Sequence, residues 1–152
     1  MRKFPRLPRT LLKPPPGFKK PKIEDFKNDM QNLGEEIAED FKETITSNIE
    51  ENTYGFENAP STLNRKSGDT PLIDSHELVD SIYREGTVVS VENTPRNDSS
   101  LTNLELAMVL EYGTKDKHIP ARPVWRNTYR DFKEEAREKV EQFFETRKSN
   151  KK

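Results

Sequence analysis

At 152 residues, cysteine-free and only 30% hydrophobic, the chain has room for one domain and tails and none for a disulfide framework or a thiolate metal site. Leu, Ile, Val and Phe make up 33 of the 152 residues, near the composition at which chains stop folding alone, so a thin core completed against other subunits is expected. No apolar run approaches the length of a membrane span and the start of the chain lacks the apolar segment of a secretory leader, so no membrane partner is expected.

The net charge of −1 conceals an asymmetry. Residues 1–22 hold Arg2, Lys3, Arg6, Arg9, Lys13, Lys19, Lys20 and Lys22 and no acid, a charge of +8, and the remainder carries −9. Six of the eleven prolines stand in the same stretch (Pro5, Pro8, Pro14, Pro15, Pro16 and Pro21). They forbid a helix, including the amphipathic helix of a mitochondrial presequence, and favour polyproline II at about 3.1 Å per residue. Residues 1–22 therefore read as a basic, proline-rich extended arm. Its candidate partner-binding residues are Arg2, Lys3, Phe4, Arg6, Leu7, Arg9, Leu11, Leu12, Lys13 and Phe18, the cations facing an acidic surface and the Phe and Leu side chains serving as apolar anchors. A solvated tail would share this composition.

Residues 23–146 read as the single folded domain. Ile23, Phe26, Met30, Leu33, Ile37, Phe41, Ile45 and Ile49 recur at steps of three and four, which predicts a helix over 23–52 with one narrow apolar stripe. Glu24 and Asp25 suit the positive end of its dipole, and Asn52 and Gly55 end it. A loop from Tyr54 to Pro71 follows, long enough to be functional or mobile. Asp74 or Ser75 is expected to cap a short helix, with Leu78, Val79 and Ile82 facing inward and Gly86 breaking it. Thr87 to Glu92 is the one clear strand, with Thr87, Val89 and Val91 on one face. Its backbone needs a partner, and Ile82–Glu85 or the edge of another subunit are the candidates. Residues 93–103 read as a projecting polar loop.

Leu104 to Leu110 is too rich in Leu, Ala and Met for a loop and predicts a short buried helix, closed by Gly113 as its left-handed residue. Pro120 and Pro123 hold Ile119 and Arg122 extended, and Pro123 is placed to begin the next helix. Glu111, Gly113, Thr114, Pro120, Arg122 and Pro123 thus form a structural corner between two helices, with a Glu111–Arg122 salt bridge expected to pin it. A second long helix runs from Val124 to about Thr146, with Trp125, Thr128, Tyr129, Phe132, Ala136, Val140 and Phe143 on its buried face. An exposed Glu135–Lys139 pair on it would contribute about 0.3–0.5 kcal/mol. Residues 147–152 read as a basic tail. The fold class is α+β: two long amphipathic helices packed on a small β-sheet with short helices, plus the extended arm.

Catalysis finds little support. Asp74, His76, Glu77, Glu111 and His118 are the residues from which a metal or acid–base site would be assembled. Two histidines at this spacing match no zinc pattern, and Asp74 and Glu77 have roles at a helix start. There is no G-x-S-x-G and no glycine-rich phosphate loop. No enzymatic activity, catalytic residue, metal or cofactor is therefore expected. The arm could touch DNA through phosphate, in a salt-sensitive way, but it lacks interleaved stacking aromatics and the body is acidic.

Three stretches in order then carry a resemblance. They are Pro71-Leu72-Ile73-Asp74-Ser75-His76-Glu77-Leu78-Val79-Asp80-Ser81-Ile82, Ala107 through Leu110-Glu111-Tyr112-Gly113-Thr114, and Ile119-Pro120-Ala121-Arg122-Pro123 before a closing amphipathic helix. The set resembles the tail-completion or neck proteins of tailed bacteriophages, including the putative tail-component and virion-morphogenesis families. Their pattern is P-L-I-D-T-G-x-L-x-x-S-I, then Y-A-x-x-x-E-[FY]-G-T, then I-P-A-R-P-F. Ser75-His76 replaces Thr-Gly, Leu106 stands where tyrosine is common, Val124 replaces the phenylalanine, and the arm lies outside the pattern. The resemblance implies a non-enzymatic virion protein, made in the bacterial cytoplasm, that forms a homo-oligomeric ring (a hexamer or dodecamer) at the head–tail junction. Its implied partners are further copies of itself, the head connector or stopper, tail-terminator or tail-tube proteins, and DNA passing through without sequence specificity. The alternatives are a tail-terminator or other tail-tube component, and a DNA-binding packaging accessory that uses the arm.

Overall fold

The computed structural model describes residues 23–58, 72, 76–97, 100–116 and 118–149. The arm, the loop over 59–71, and Asp74 and Ser75 lie outside the described residues. The elements in order are α1 (Ile23–Glu50), α2 (Glu77–Asp80), β1 (Ile82–Glu85), β2 (Val88–Val91), α3 (Asn103–Tyr112) and α4 (Val124–Ser149). The class is α+β.

The two long helices pack antiparallel because each carries one apolar stripe. Phe26 meets Phe144 at one end (ring centroids 6.4 Å). Phe41 meets Phe132 edge-on at 5.5 Å and Trp125 at 6.3 Å towards the other. Between them Lys139 of α4 pairs with Asp40 and, at 3.2 Å, with Glu36 of α1. The expected local partner, Glu135, is replaced by acids that the antiparallel packing brings alongside. Thr128 is fully buried and accepts a 2.9 Å hydrogen bond from Asn48 Nδ2, so the polar position on the stripe is satisfied.

α4 continues through Ser149, so Arg147 and Lys148 form its last turn rather than a tail. Arg147 lies over the Phe143 ring at 4.5 Å and pairs with Asp29 of α1. These contacts extend the helix, and basic residues suit its negative end. The deeply buried aromatic there is Phe144 rather than Phe143, and Ile23 is 81% exposed and stands outside the packed stripe.

The strand partner is β1, antiparallel to β2 in the register Ile82↔Val91, Tyr83↔Ser90, Arg84↔Val89, Glu85↔Val88. Gly86 turns the hairpin with φ +58°, the sign that matches the twist of the strands. The turn lies against α1: a Cβ on Gly34 would stand 2.9 Å from the Thr87 methyl. Arg84 ties β1 to α1 through Glu39 at 2.6 Å.

Ile45, Ile49, Leu72, Leu78, Val79, Ile82, Val91, Ala107, Leu110 and Val124 make one core where all the elements meet. Three local expectations change. The short helix ends at Asp80, so Ile82 opens β1 instead of facing inward from that helix, and Gly86 does not end it. The N-cap position of α2 belongs to His76, at φ +58° and without a side-chain cap bond, rather than to Asp74 or Ser75. The expected projecting loop is folded back at its stem, with Asn103 buried and donating to Thr94 through both its backbone N–H (3.0 Å) and its Nδ2 (2.9 Å). Thr102 and Glu105 form a full capping box at the start of α3. The T-x-x-E spacing that signals it stood in the sequence unread.

Candidate functional site

A helix end leaves carbonyl oxygens without partners, and a helix start leaves N–H groups without them. The corner between α3 and α4 resolves both at once. Gly113 N–H returns to Val109 O at 2.7 Å, and Leu110 O accepts from the Arg122 backbone N–H at 2.6 Å. Glu111 O accepts from Arg126 Nη2 at 3.1 Å. The carbonyls of Val109, Leu110 and Glu111 are thus closed by residues from the corner or from α4.

The start of α4 is met from the other side. Asn127 N–H bonds to Pro123 O at 3.1 Å, which makes Pro123 the flanking residue and Val124 the first in the helix. Proline has no side-chain acceptor, so the usual local cap is missing. Glu111, only 6% exposed, supplies it from α3. Its carboxylate accepts from Trp125 N–H at 3.0 Å and Arg126 N–H at 3.2 Å, where the helix dipole favours negative charge. Arg126 Nε completes the cluster 2.9 Å away.

The expected Glu111–Arg122 salt bridge is therefore replaced by Glu111–Arg126. Arg122 points elsewhere: its Nη2 donates to Glu57 O at 2.7 Å, tying the corner to the segment after α1. Burial pushes its pKa below the ordinary arginine value. Arg126, in the first turn of α4, is the guanidinium placed beside the carboxylate.

Gly113 closes α3, though not in the left-handed helical conformation. With φ +70° and ψ −177° it occupies a region that is essentially glycine-only. A Cβ there would also meet Ala121 N and Ile119 O at 2.8 Å. Thr114 holds the other side of the loop: its N–H donates to Ile119 O and its Oγ1 accepts from Ile119 N–H, both at 3.0 Å. Hydrogen bonds from the Thr114 side chain and the His118 backbone hold the Asp116 carboxyl below its ordinary value. Pro120 lies between the two Gly113 contacts; Glu111 and Arg122 each take a partner other than the expected one, and Pro123 flanks the closing helix rather than beginning it. The arm residues Arg2, Lys3, Phe4, Arg6, Leu7, Arg9, Leu11, Leu12, Lys13 and Phe18 lie outside the described residues.

Beside this corner α3 shows an unexpected face. Ala107 and Leu110 are buried, yet Met108 and Tyr112 are 53% and 64% exposed. A helix apolar on both sides is ordinarily covered on both. The exposed side borders a small groove between β2, α3 and the start of α4, lined by Val91, Leu104, Met108, Tyr112 and Trp125. The Arg126 guanidinium stands 5.3 Å from the Tyr112 ring centroid, a cation–π contact that orients the ring. The short apolar run read as simply buried could have disclosed this, since Met108 and Tyr112 are four apart and opposite the core positions.

Among the described residues, no group of three His, Cys, Asp or Glu is placed to hold a metal ion, and no helix is long and apolar enough to cross a membrane. No protein-family model, curated protein or solved structure matches the chain.

Proposed function

We propose that this chain is a structural, non-enzymatic subunit of a tailed-bacteriophage neck, forming a ring through which DNA passes between head and tail. The observation that carries the reading is the corner. Its backbone shape is over-determined by Gly113, the Glu111 cap and the closed carbonyls, and it holds an apolar α3 face open to a partner. An exposed patch of this kind beside a rigid frame is what a protein–protein contact requires. The ordered motifs over 71–82, 107–114 and 119–123 point the same way. In this role the corner fixes the angle between α3 and α4, and so the surfaces offered to neighbouring copies, to the head connector or stopper, and to the tail-terminator or tail-tube proteins. The arm latches the body to a neighbour. The body offers passing DNA no sequence-specific contact.

The second reading, a DNA-binding packaging accessory, rests on the +8 charge of residues 1–22. Titration of the full chain against duplex DNA at two salt concentrations separates the readings. The neck subunit is expected to bind free duplex weakly at physiological salt. Micromolar affinity that falls steeply with salt would favour the accessory.

A further inference from the structure

We infer that the groove beside α3 is the seat of the proline-rich arm of a second copy of this chain, an inference that rests on the ring reading above. Aromatic-lined grooves recognise proline-rich segments because polyproline II is extended and already low in entropy, so little order is lost on docking. Tyr112 and Trp125 supply the aromatic lining and Met108 an adaptable apolar one. The arm contains the matching element: Pro5-Arg6-Leu7-Pro8, followed by Arg9.

Charge agrees with shape. Glu105 shares the exposed side of α3 with Met108 and Tyr112, at spacings of three and seven residues. Glu92, also exposed, follows the groove residue Val91 directly. These acids flank an apolar seat, as a segment with arginines between and after its prolines needs. On the larger scale a +8 arm faces a −9 body.

The arm enters α1 at Ile23, and the groove lies at the Phe41–Trp125 end, about 27 Å along the helix at 1.5 Å per residue. Fourteen residues separate Arg9 from Ile23, about 43 Å of extended chain, so the length lets Pro5–Arg9 reach past the body's own long axis to a groove on an adjoining copy as well as its own. It is the ring reading that assigns the arm to the neighbour. Passed forward, each arm fills the next groove, a head-to-tail contact that leaves none empty once the ring closes.

The test uses the full chain with a photo-crosslinking phenylalanine derivative in place of Met108, irradiated as an equal mixture of light and heavy-isotope copies at low salt. Mass spectrometry of the joined peptides should show position 108 linked to residues 1–22 of the opposite isotope. Combining Arg6→Glu with Arg9→Glu should lower that yield roughly tenfold, equivalent to about 1.4 kcal/mol. Links within one copy, links to any other segment, no link at all, or a yield indifferent to the charge reversals would each overturn the inference. Its failure would be distinct from that of the neck reading: a chain that builds into particles without such links loses only the arm's seat. One that links this way but never enters particles loses only the neck role.

Discussion

Glu111 caps a helix twelve residues downstream of its own, and that arrangement sets its worth. Replacing it with alanine removes the acceptor for two N–H groups of α4 and the partner of Arg126. Loss of a cap costs about 0.5–2 kcal/mol, and loss of a hydrogen-bonded buried carboxylate raises the total for Glu111→Ala to about 2–3 kcal/mol. Arg126→Ala should cost under about 1 kcal/mol, because its side chain is 62% exposed and solvent screens the pair. Thermal unfolding of the two variants checks the order; equal melting temperatures would contradict the capping role. The motif located Glu111 in the sequence, and proline's inability to cap was visible there too. Its partner was not, because whether Arg122 or Arg126 reaches the carboxylate depends on where the extended backbone ends and the helical backbone begins.

Between elements, α1 is tied to the hairpin by Arg84 and to α4 by Lys139 and Arg147. The Arg84 guanidinium beside Glu39 holds that carboxyl below its ordinary value of 4.5. A carboxylate lowered in the folded state contributes its full stability above the unfolded value and loses it as pH falls through the lowered folded value. Melting temperature should therefore fall more steeply below pH 4.5 in the parent chain than in Arg84→Met. Parallel curves would show that the pair does not hold the hairpin to α1. The long helices were legible from periodicity, and the need of β2 for a partner left Ile82–Glu85 as one of two candidates; Gly86, expected to break a short helix, instead turns the hairpin. What spacing along a helix could not disclose was the cross-helix pairing: Lys139 has Glu135 four residues away, yet antiparallel packing sets Asp40 and Glu36 against it. The far end of α4 was hidden similarly, since Arg147 reads as tail until Asp29 is brought beside it.

On the scale of the whole molecule, a thin core, a rigid corner and a partly exposed apolar α3 face are the features on which the proposed ring subunit rests. Deleting residues 1–22 removes none of the described core, so the truncated chain should keep the parent's helical circular dichroism while its incorporation into particles falls several-fold. Undiminished incorporation would remove the latch from the account. The two-sided apolar character of α3 was latent in Met108 and Tyr112, but only the fold shows that both stay more than half exposed, with Arg126 over the Tyr112 ring. The most direct test of the neck assignment is cryo-electron microscopy of the assembled virion. A six-fold or twelve-fold ring at the head–tail junction should accommodate the antiparallel α1–α4 pair and the α3 corner in every subunit. Particles without the chain, with all of it recovered as free monomer, would contradict the assignment.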